Sequence, residues 1–212
     1  MIFQLHETDI TFPNPMLAEL DGLLAIGGDL SIERLQLAYQ SGIFPWYSDD
    51  EPICWYAPHE RCVIFPHKVF VSKSMQQVLQ KNAFKITTNT CFEEVIQHCA
   101  TTNRKDQDGT WITNEMQYAY IELHKLGIAK SVEVWQENKL VGGLYGLEIN
   151  KIFCGESMFS NVSNASKAAL IWLCKENKYT LIDCQVRTEH LISMGAEMVS
   201  QGLYMEILNP NS

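Results

Sequence analysis

The chain has 212 residues, of which 46% are hydrophobic and 19% are charged, and its formal net charge is −9 at pH 7. These values are ordinary for a folded globular protein and exclude a disordered chain. No apolar run approaches the roughly 18 residues that a membrane-spanning helix needs, and the first residues lack the basic and apolar regions of a signal peptide. We therefore expect a cytoplasmic protein with no membrane partner.

The first sixty residues are rich in turn signals. Proline or glycine recurs every few residues in the stretches FPNP, GLLAIGGDLS and SGIFPWYSDDEP. One short helix is predicted between them, because Ser31 is a good N-cap, apolar residues follow at helical spacing, and Gly42 is a good stop. The pattern predicts a small, loop-rich N-terminal domain over residues 1–62, packed on a larger domain over residues 63–212.

Helices and strands both occur in the next part of the chain. The stretches RCVIFP and FKITTN predict two strands, separated by a helix that Ser72 or Ser74 would cap. Residues 91–101 place apolar side chains on one face of a helix. A further helix would begin after the N-cap Thr113 and end at Gly127.

From Ser131 onward the apolar period changes from about 3.6 to about 2. The stretches SVEVWQ, LVGGLYGLEI and IFCGESMF predict three strands joined by tight turns, an antiparallel meander. A helix over residues 164–175, a buried strand TLIDCQV, a short helix EHLIS and a last strand AEMVSQ follow. This order is typical of an α+β fold with a mixed sheet.

Two of the predicted strands carry polar side chains that would converge. Alternate side chains of a strand share a face, so Asp183 and Gln185 lie together on one face of LIDCQV. The same rule places Glu156 on one face with Cys154 and Met158. If the strands are neighbours, Glu156, Asp183 and Gln185 form a polar cluster with apolar walls. Such a cluster is either a buried hydrogen-bond network or a ligand site.

Two tryptophans and one basic segment can each be interpreted either as ordinary structural features or as contacts to a nucleic acid. Trp46 and Trp111 lie in predicted loops, and such residues either pack in the core or stack on a nucleic-acid base, worth about 1–3 kcal/mol each. Between Arg61 and Phe92 there are five cations and no acidic residue. This basic stripe is either a solvated face or a contact surface for a phosphate backbone.

The cysteines and histidines predict no metal centre. Seven cysteines, an odd number without a C-x-x-C pair, argue against a disulfide framework and a zinc knuckle. The histidines form no H-x-x-x-H pair, and no glycine-rich phosphate loop follows a strand. Cys184 is expected to be a core thiol, because alternation turns it away from Asp183 and Gln185. We expect reduced thiols, no metal and no cofactor.

Eight ordered blocks of the sequence resemble the leucyl/phenylalanyl-tRNA–protein transferase family. They are distributed over nearly the whole chain, which makes the resemblance more specific than any single motif. The blocks are GLLAIGGDLS (22–31), GIFPWYS (42–48), GTWIT (109–113), KSVEVW (130–135), LVGGLYG (140–146), FCGESMFS (153–160), NASKAAL (164–170) and LIDCQV (181–186). The resemblance implies a C-terminal domain similar to the GCN5-related N-acetyltransferase (GNAT) fold, behind a small N-terminal domain.

The resemblance also implies a reaction. Leu, Phe or sometimes Met would move from aminoacyl-tRNA to the α-amino group of a protein that begins with Arg or Lys. The product would carry an N-degron and be delivered to proteolysis. The implied partners are therefore aminoacyl-tRNA and proteins or peptides with such an N-terminus, and we expect a monomer.

The resemblance assigns a role to particular residues of this chain. Trp46 and Trp111 would flank the terminal adenosine of the tRNA. The pocket for the aminoacyl side chain would be formed by Leu144, Phe153, Met158 and Leu170. The polar centre would be formed by Glu156, Asp183 and Gln185. The tRNA backbone would be contacted by Lys73, Lys81 and Lys85.

In the implied reaction the aminoacyl ester is already activated, so the polar centre needs no strong nucleophile of its own. An amide such as Gln185 accepts hydrogen bonds but scarcely binds a proton, so we expect it to orient the attacking amine. Asp183 would fix Gln185 or stabilise developing positive charge. Glu156 would meet the cationic side chain of the acceptor's first residue.

Other functions remain open. An acetyl-CoA-dependent N-acetyltransferase would share the fold, but such enzymes hold the pyrophosphate with a glycine-rich loop, and SMFSNVSNASK contains no glycine. A non-catalytic RNA- or peptide-binding module would use the tryptophans and the basic stripe without needing the polar centre. A cysteine acyltransferase would be inhibited by thiol alkylation.

Overall fold

The computed structural model describes residues 2–102 and 111–210, so residues 109–110, which begin the GTWIT block, lie outside the described residues. The strands in these ranges are β1 (Phe3–Leu5), β2 (Leu23–Gly27), β3 (Phe44–Pro45), β4 (Cys54–Tyr56), β5 (Glu60–Ile64), β6 (Lys85–Thr88), β7 (Ala129–Gln136), β8 (Lys139–Ile149), β9 (Ile152–Ser160), β10 (Leu181–Gln185) and β11 (Glu197–Ser200). The α-helices are α1 (Ile32–Gln40), α2 (Lys73–Gln80), α3 (Phe92–Thr101), α4 (Asn114–Lys125), α5 (Ala165–Lys175), α6 (Glu189–Ser193) and α7 (Gln201–Leu208).

The N-terminal residues form a small sheet around a tryptophan. Its strand order is β1-β2-β4-β3, with β1 parallel to β2. Trp55 of β4 is fully buried, and its indole N–H donates to the carbonyl oxygen of Gly27 at 2.9 Å. α1 begins after the predicted N-cap Ser31 and ends just before Gly42. The sequence predicts this helix but not the four strands, because strands of two to five residues are too short to show a period.

The rest of the chain is organised around a seven-stranded mixed sheet with the order β11-β5-β10-β9-β8-β7-β6. β7, β8 and β9 form the predicted antiparallel meander. After the crossover helix α5 the chain returns as β10, parallel to β9. The predicted α+β fold, with a small N-terminal part and a larger mixed sheet, is confirmed.

Two apolar cores cover the two faces of the larger sheet. The first contains residues of α3, α4 and α7 together with α1 and the small N-terminal sheet, whereas α2 and α5 pack in the second. The first core is continuous from the N-terminal sheet to the larger one, and the division into domains over 1–62 and 63–212 stays a prediction. Two helix starts follow the sequence, since Ser72 and Thr113 accept hydrogen bonds from the backbone N–H groups of Met75 and Met116.

The alternation predicted for β9 is wrong. One residue of β9, Glu156, has no partner in β8, which marks a β-bulge at this position. An extra residue reverses the alternation of the following side chains. Cys154 and Met158 therefore lie on opposite faces of the sheet, one against each core, instead of sharing a face.

The final helix α7 is absent from the sequence-based prediction. The predicted strand over 196–201 ends at Ser200, whose side chain accepts a hydrogen bond from the backbone N–H of Leu203 and thus caps α7. Gly202 in the first turn weakens the helical pattern, yet Tyr204 and Leu208 are buried. Neither α7 nor any other helix in the described ranges is long and apolar enough to cross a bilayer.

Candidate active site

A cavity opens where β9 and β10 separate. Along the described residues, β10 pairs with β9 only through Leu181–Asp183, whereas β9 continues to Ser160. The cavity has a volume of about 500 Å³, a size typical of small-ligand sites. The residues that the sequence predicts for the site and that line this cavity are Trp46, Trp111, Leu144, Phe153, Glu156, Met158, Leu170, Asp183 and Gln185.

β10 ends at Gln185 in an unusual backbone conformation. Its φ is 62°, in the left-handed region that residues with a side chain rarely adopt. The backbone N–H of Val186 donates to the carbonyl oxygen of Cys184 at 2.8 Å, which closes a three-residue turn around Gln185. Strain of this kind persists where surrounding contacts hold it, and it occurs mostly at functional sites.

Two buried carboxylates hold Gln185 in this conformation. Oδ1 of Asp183 accepts a hydrogen bond from the backbone N–H of Gln185 at 2.8 Å. Oε1 of Glu156 accepts one from Nε2 of Gln185 at 2.7 Å. The backbone and the side-chain amide are therefore fixed independently. With Nε2 bound to Glu156, the amide oxygen is the atom of Gln185 that can accept a hydrogen bond from a substrate.

Asp183 is neutralised by a buried arginine. Arg61 on β5 donates from Nε to both carboxylate oxygens at 3.0 and 3.1 Å and from Nη2 to Oδ2 at 2.9 Å. The hydroxyl of Tyr204 on α7 donates to Oδ2 at 2.9 Å. Burial alone would lower the pKa of Arg61, but the charge of Asp183 outweighs burial and raises it, so the guanidinium stays charged. Including Arg61 in a basic stripe is therefore wrong, because its side chain is buried.

Glu156, in contrast, is held by hydroxyl and amide groups. Its oxygens accept hydrogen bonds from Tyr39 on α1 at 2.7 Å and from Tyr120 on α4 at 3.1 Å, besides that from Gln185, and the two tyrosine hydroxyls contact each other. No ion pair formed by the described residues includes Glu156.

The protonation of Glu156 follows from this environment. Burial is the largest effect on its pKa, which rises to about 7. The hydrogen bonds from Tyr39, Tyr120 and Gln185 oppose the rise, and the charge of Asp183 adds to it. The carboxyl group of Glu156 therefore changes its protonation near neutral pH.

The four apolar residues predicted for a pocket form one wall of the cavity. Leu144 of β8 and Met158 of β9 are partners in the strand ladder, and both pack with Phe153 and with Leu170 of α5 in the second core. This wall of aliphatic, thioether and aromatic groups suits an apolar side chain. Further apolar lining residues, which the sequence does not predict, are Phe44, Leu173, Ile182 and Leu191.

The two loop tryptophans lie in the wall of the same cavity. Trp46 follows β3 and is 37% exposed, with its ring centroid 5.5 Å from that of Tyr56. Trp111 is partly buried and lies two residues before Thr113, the N-cap of α4. Partly exposed indole rings in a cavity wall are suited to stacking on a base.

The three lysines predicted to contact tRNA lie outside the cavity. Lys73 begins α2, Lys81 follows its last turn, and Lys85 begins β6, the edge strand of the larger sheet. All three are exposed to solvent. Their contact with tRNA stays a prediction.

Cys184 packs against the second core, as alternation predicts, but it does not lie wholly inside it. It lines the cavity and is half-buried, because the face of β10 that carries Ile182 and Cys184 also borders the cavity. Burial raises the pKa of Cys154 and Cys184 well above the ordinary value, which disfavours a reactive thiolate. In the part of the chain that the structure describes, no group of three or more His, Cys, Asp or Glu residues could hold a metal ion.

The partners of the two carboxylates are the functional residues that the sequence analysis misses. Tyr39, Tyr120 and Tyr204 lie among apolar residues of three helices and are almost fully buried. A buried tyrosine hydroxyl normally has a hydrogen-bond partner. A tyrosine on an otherwise apolar helix face is therefore the signal that could have indicated a buried acceptor.

Comparison with known proteins gives the chain a family. A family model described as leucyl/phenylalanyl-tRNA protein transferase matches residues 63–209. A model of the N-terminal domain of the same transferase matches residues 28–59. The chain belongs to this family. The resemblance of the eight sequence blocks is thereby confirmed.

Relatives named Leucyl/phenylalanyl-tRNA--protein transferase match nearly the full chain. One from Flavobacterium johnsoniae is 55% identical and covers 94% of this chain and 96% of its own length. Another from Pseudomonas aeruginosa is 49% identical and covers 98% of this chain and 94% of its own length. The similarity to this family thus extends over both the N-terminal part of the chain and the larger sheet.

Solved structures similar in shape are more distant. A conserved protein of unknown function from Bacteroides thetaiotaomicron aligns with a TM-score of 0.47 and 13% identity, over 63% of this chain and 53% of that chain. A GCN5-related N-acetyltransferase from Kribbella flavida aligns with a TM-score of 0.39 and 7% identity, over 75% of this chain and 57% of that chain. Similarities this low carry no argument about function.

Proposed function

We propose that this protein transfers leucine, phenylalanine or methionine from aminoacyl-tRNA to the α-amino group of proteins that begin with arginine or lysine. Membership in the leucyl/phenylalanyl-tRNA protein transferase family supports an aminoacyl transfer. The observation that carries the proposal is the single cavity that an apolar wall, two tryptophans and the Gln185 amide share. An apolar side chain, a nucleoside and an attacking amine are chemically complementary to these three parts.

In this proposal the donor binds through its 3′ end. The terminal adenosine stacks on Trp46 and Trp111, and the aminoacyl side chain contacts the apolar wall. Exposed Lys73, Lys81 and Lys85 attract the phosphate backbone of the tRNA. One methylene changes binding in an apolar pocket by only about 1–3 kcal/mol, so the protein accepts leucine, phenylalanine and methionine.

The reaction requires little activation by the protein, because the aminoacyl ester is already reactive. An α-amino group has a pKa of about 7.7–8.0, so an appreciable fraction is neutral near pH 7. Its nitrogen attacks the ester carbonyl carbon, and an amide bond forms as the bond to the ribose oxygen breaks. The nitrogen loses a proton and the ribose oxygen gains one. Holding amine and ester together supplies most of the acceleration.

The polar centre orients the amine in this scheme. The amide oxygen of Gln185 accepts a hydrogen bond from the attacking nitrogen, since Nε2 is engaged with Glu156. Asp183 fixes the backbone of Gln185 and Glu156 fixes its side chain. A contact between Glu156 and the cationic side chain of the acceptor stays a prediction, because Glu156 already accepts three hydrogen bonds.

We also propose a cellular setting on the basis of the family resemblance. The protein acts in the cytoplasm as a monomer and needs no cofactor. Its product carries a new N-terminal Leu, Phe or Met, which serves as an N-degron. This setting is independent of the geometry of the site.

The test uses purified protein, leucyl-tRNA labelled on the leucine, and peptides that begin with Arg, Lys or Ala. Label is expected on the Arg and Lys peptides and is expected to disappear after ribonuclease pretreatment of the tRNA. The Ala peptide and an Arg peptide with an acetylated N-terminus are the controls. Absence of transfer from leucyl-, phenylalanyl- and methionyl-tRNA by folded protein would refute the proposal.

Two further arms separate the alternatives. Acetylation of the peptide in a parallel reaction with acetyl-CoA would favour an N-acetyltransferase instead. Replacing Asp183 by Ala distinguishes an enzyme from a binding module where circular dichroism shows the variant folded, because the enzyme loses far more transfer activity than tRNA affinity. Transfer to the Ala peptide at the same rate would retain the aminoacyl transfer and refute the preference for Arg and Lys.

A further inference from the structure

Two parts of the cavity wall come from distant regions of the chain. Trp46 follows the short strand β3, whereas Gln185 ends β10. Arg61 on β5 contacts both regions. We propose that Arg61 is a positioning residue that sets the Trp46 wall relative to the Gln185 amide, an inference that rests on the proposed function.

The guanidinium group binds the two regions through different nitrogen atoms. Nε and Nη2 donate to Asp183, whereas Nη1 donates to the carbonyl oxygen of Gly42 at 3.1 Å. Gly42 begins the segment over residues 42–46 that leads to Trp46. Because a guanidinium is planar and its donors form a rigid fork, the bonds fix the direction of one region relative to the other.

Two aromatic rings, one linked to each of the two regions, also contact the guanidinium of Arg61. Cζ of Arg61 lies 4.6 Å from the ring centroid of Phe44 and 4.7 Å from that of Tyr204. Phe44 lines the cavity two residues before Trp46. Tyr204 binds the carboxylate of Asp183 through its hydroxyl at 2.9 Å. Each ring therefore links the guanidinium to one of the two regions.

Stability alone does not explain why a charged pair occupies this position. The side chains of Arg61 and Asp183 are 2% and 0% exposed. A buried ion pair often stabilises a fold no more than apolar side chains of similar volume, because both charges lose their hydration. A directional contact is what the pair adds. Gln185 needs such a contact, since Asp183 holds its backbone in a left-handed conformation.

Arg34 provides a matched control. Its side chain is also fully buried, its Nε donates to Asp29 at 3.2 Å, and its Nη2 donates to the backbone carbonyls of His6 and Glu7. These residues are not among those that line the cavity. Arg34→Lys therefore removes a buried guanidinium from an ion pair without changing the contacts of Arg61.

The experiment compares Arg61→Lys and Arg34→Lys by leucyl-transfer kinetics and by fluorine NMR of protein labelled with 5-fluorotryptophan. The chain has five tryptophans, and Trp46→Phe identifies the resonance of Trp46. For Arg61→Lys we expect kcat to fall about 100-fold, because small displacements of reacting groups have effects of this size. We expect KM for leucyl-tRNA to rise about 10-fold, as weaker base stacking predicts, and the Trp46 resonance to shift.

Arg34→Lys is expected to leave kcat, KM and the Trp46 resonance unchanged at a temperature where circular dichroism shows both variants folded. A merely structural role for Arg61 predicts a lower melting temperature with wild-type values of all three, and that result would overturn the inference. Equal losses in both variants would also overturn it. Failure of the proposed function is distinguishable, because wild-type protein would then transfer no leucine while the Trp46 resonance still reported on Arg61→Lys.

Tyr204→Phe keeps the inference testable if Arg61→Lys does not fold. This change removes the hydroxyl that binds Asp183 but keeps the ring beside Arg61. We expect kcat to fall about 10-fold, the size of one hydrogen bond's contribution, with the Trp46 resonance unchanged. A wild-type kcat in Tyr204→Phe would show that the geometry of Asp183 does not limit the reaction, and would overturn the inference.

Discussion

Gln185 lies between two buried carboxylates, Asp183 and Glu156, and the protein stabilises them in different ways. On one side Asp183 is paired with the guanidinium of Arg61. On the other side Glu156 accepts hydrogen bonds from two tyrosine hydroxyls and from Gln185, and its pKa rises to about 7. The charged partner makes Asp183 a fixed anchor, whereas hydrogen bonds alone leave Glu156 able to take up a proton at neutral pH. The variants that follow disturb each side separately.

Asp183→Ala should have the largest effect, because it leaves the buried charge of Arg61 without a partner. Removing one partner of a buried ion pair costs about 3–5 kcal/mol, so we expect a loss of this size in the free energy of unfolding, measured with urea. Transfer activity should fall by about 100-fold or more, since Gln185 is no longer held. Asp29→Ala is the control, because the side chain of Asp29 is 37% exposed and water can replace it beside Arg34. Equal losses in the two variants would contradict the role of Asp183 as a fixed anchor.

Glu156→Gln should remove a pH dependence of stability. The folded protein raises the pKa of Glu156 from 4.5 to about 7, so the stability contributed by its proton is complete below about pH 4.5 and is lost as the pH rises through about 7. The free energy of unfolding of the wild type, relative to Glu156→Gln, should therefore fall by about 3 kcal/mol between pH 4.5 and pH 8. Urea unfolding across this range measures the difference.

The control for that measurement is Glu189→Gln, which changes a glutamate on α6 whose side chain is 83% exposed. Its stability should follow the wild type at every pH. If the wild type and Glu156→Gln instead gave parallel curves, Glu156 would not be the titrating group, and the contrast with Asp183 would be lost.

Met158→Ala should affect the apolar wall and neither carboxylate. The change enlarges the cavity beside Leu144 and removes apolar surface that an aminoacyl side chain would touch, which weakens binding by about 1–3 kcal/mol. We expect kcat/KM for leucyl-tRNA to fall about 10-fold and that for phenylalanyl-tRNA to fall less, because a larger ring fills the added space. Competition between the two donors measures the ratio, with exposed Met16→Ala as the control. An unchanged ratio would remove Met158 from the proposed pocket.

Regular elements of this protein are predictable because their signals are local. Thr113 immediately precedes the helix that it caps, and the period-two alternation of the meander lies within the strands that it predicts. The convergence of Glu156 with Asp183 also follows from the sequence once β9 and β10 are assumed to be neighbours. The residues alone leave two interpretations open for Trp46 and for the lysines, and the family resemblance, which local physics does not supply, selects the one that involves tRNA.

The irregular parts of the site are not predictable in the same way. Alternation presumes a regular strand, so it fails at the bulge at Glu156 and misplaces Met158. The left-handed turn at Gln185 has no composition signal, because glutamine rarely adopts positive φ. Arg61 resembles a surface cation because its partner Asp183 is 122 residues away in the sequence. These three deviations from local rules all involve the site or its support, where function can require strain.

Lys85→Ala should have the smallest effect and should involve neither carboxylate. If Lys85 contacts one tRNA phosphate, its loss reduces by about one the slope of log KM for leucyl-tRNA against log salt concentration. Leucyl-adenosine, which has no tRNA body, should react equally well with the variant and the wild type. Lys178→Ala is the control, because Lys178 is exposed but paired with Glu148. An unchanged salt slope would exclude Lys85 from the tRNA contact, whereas an equal loss with leucyl-adenosine would mean that β6 influences the cavity itself.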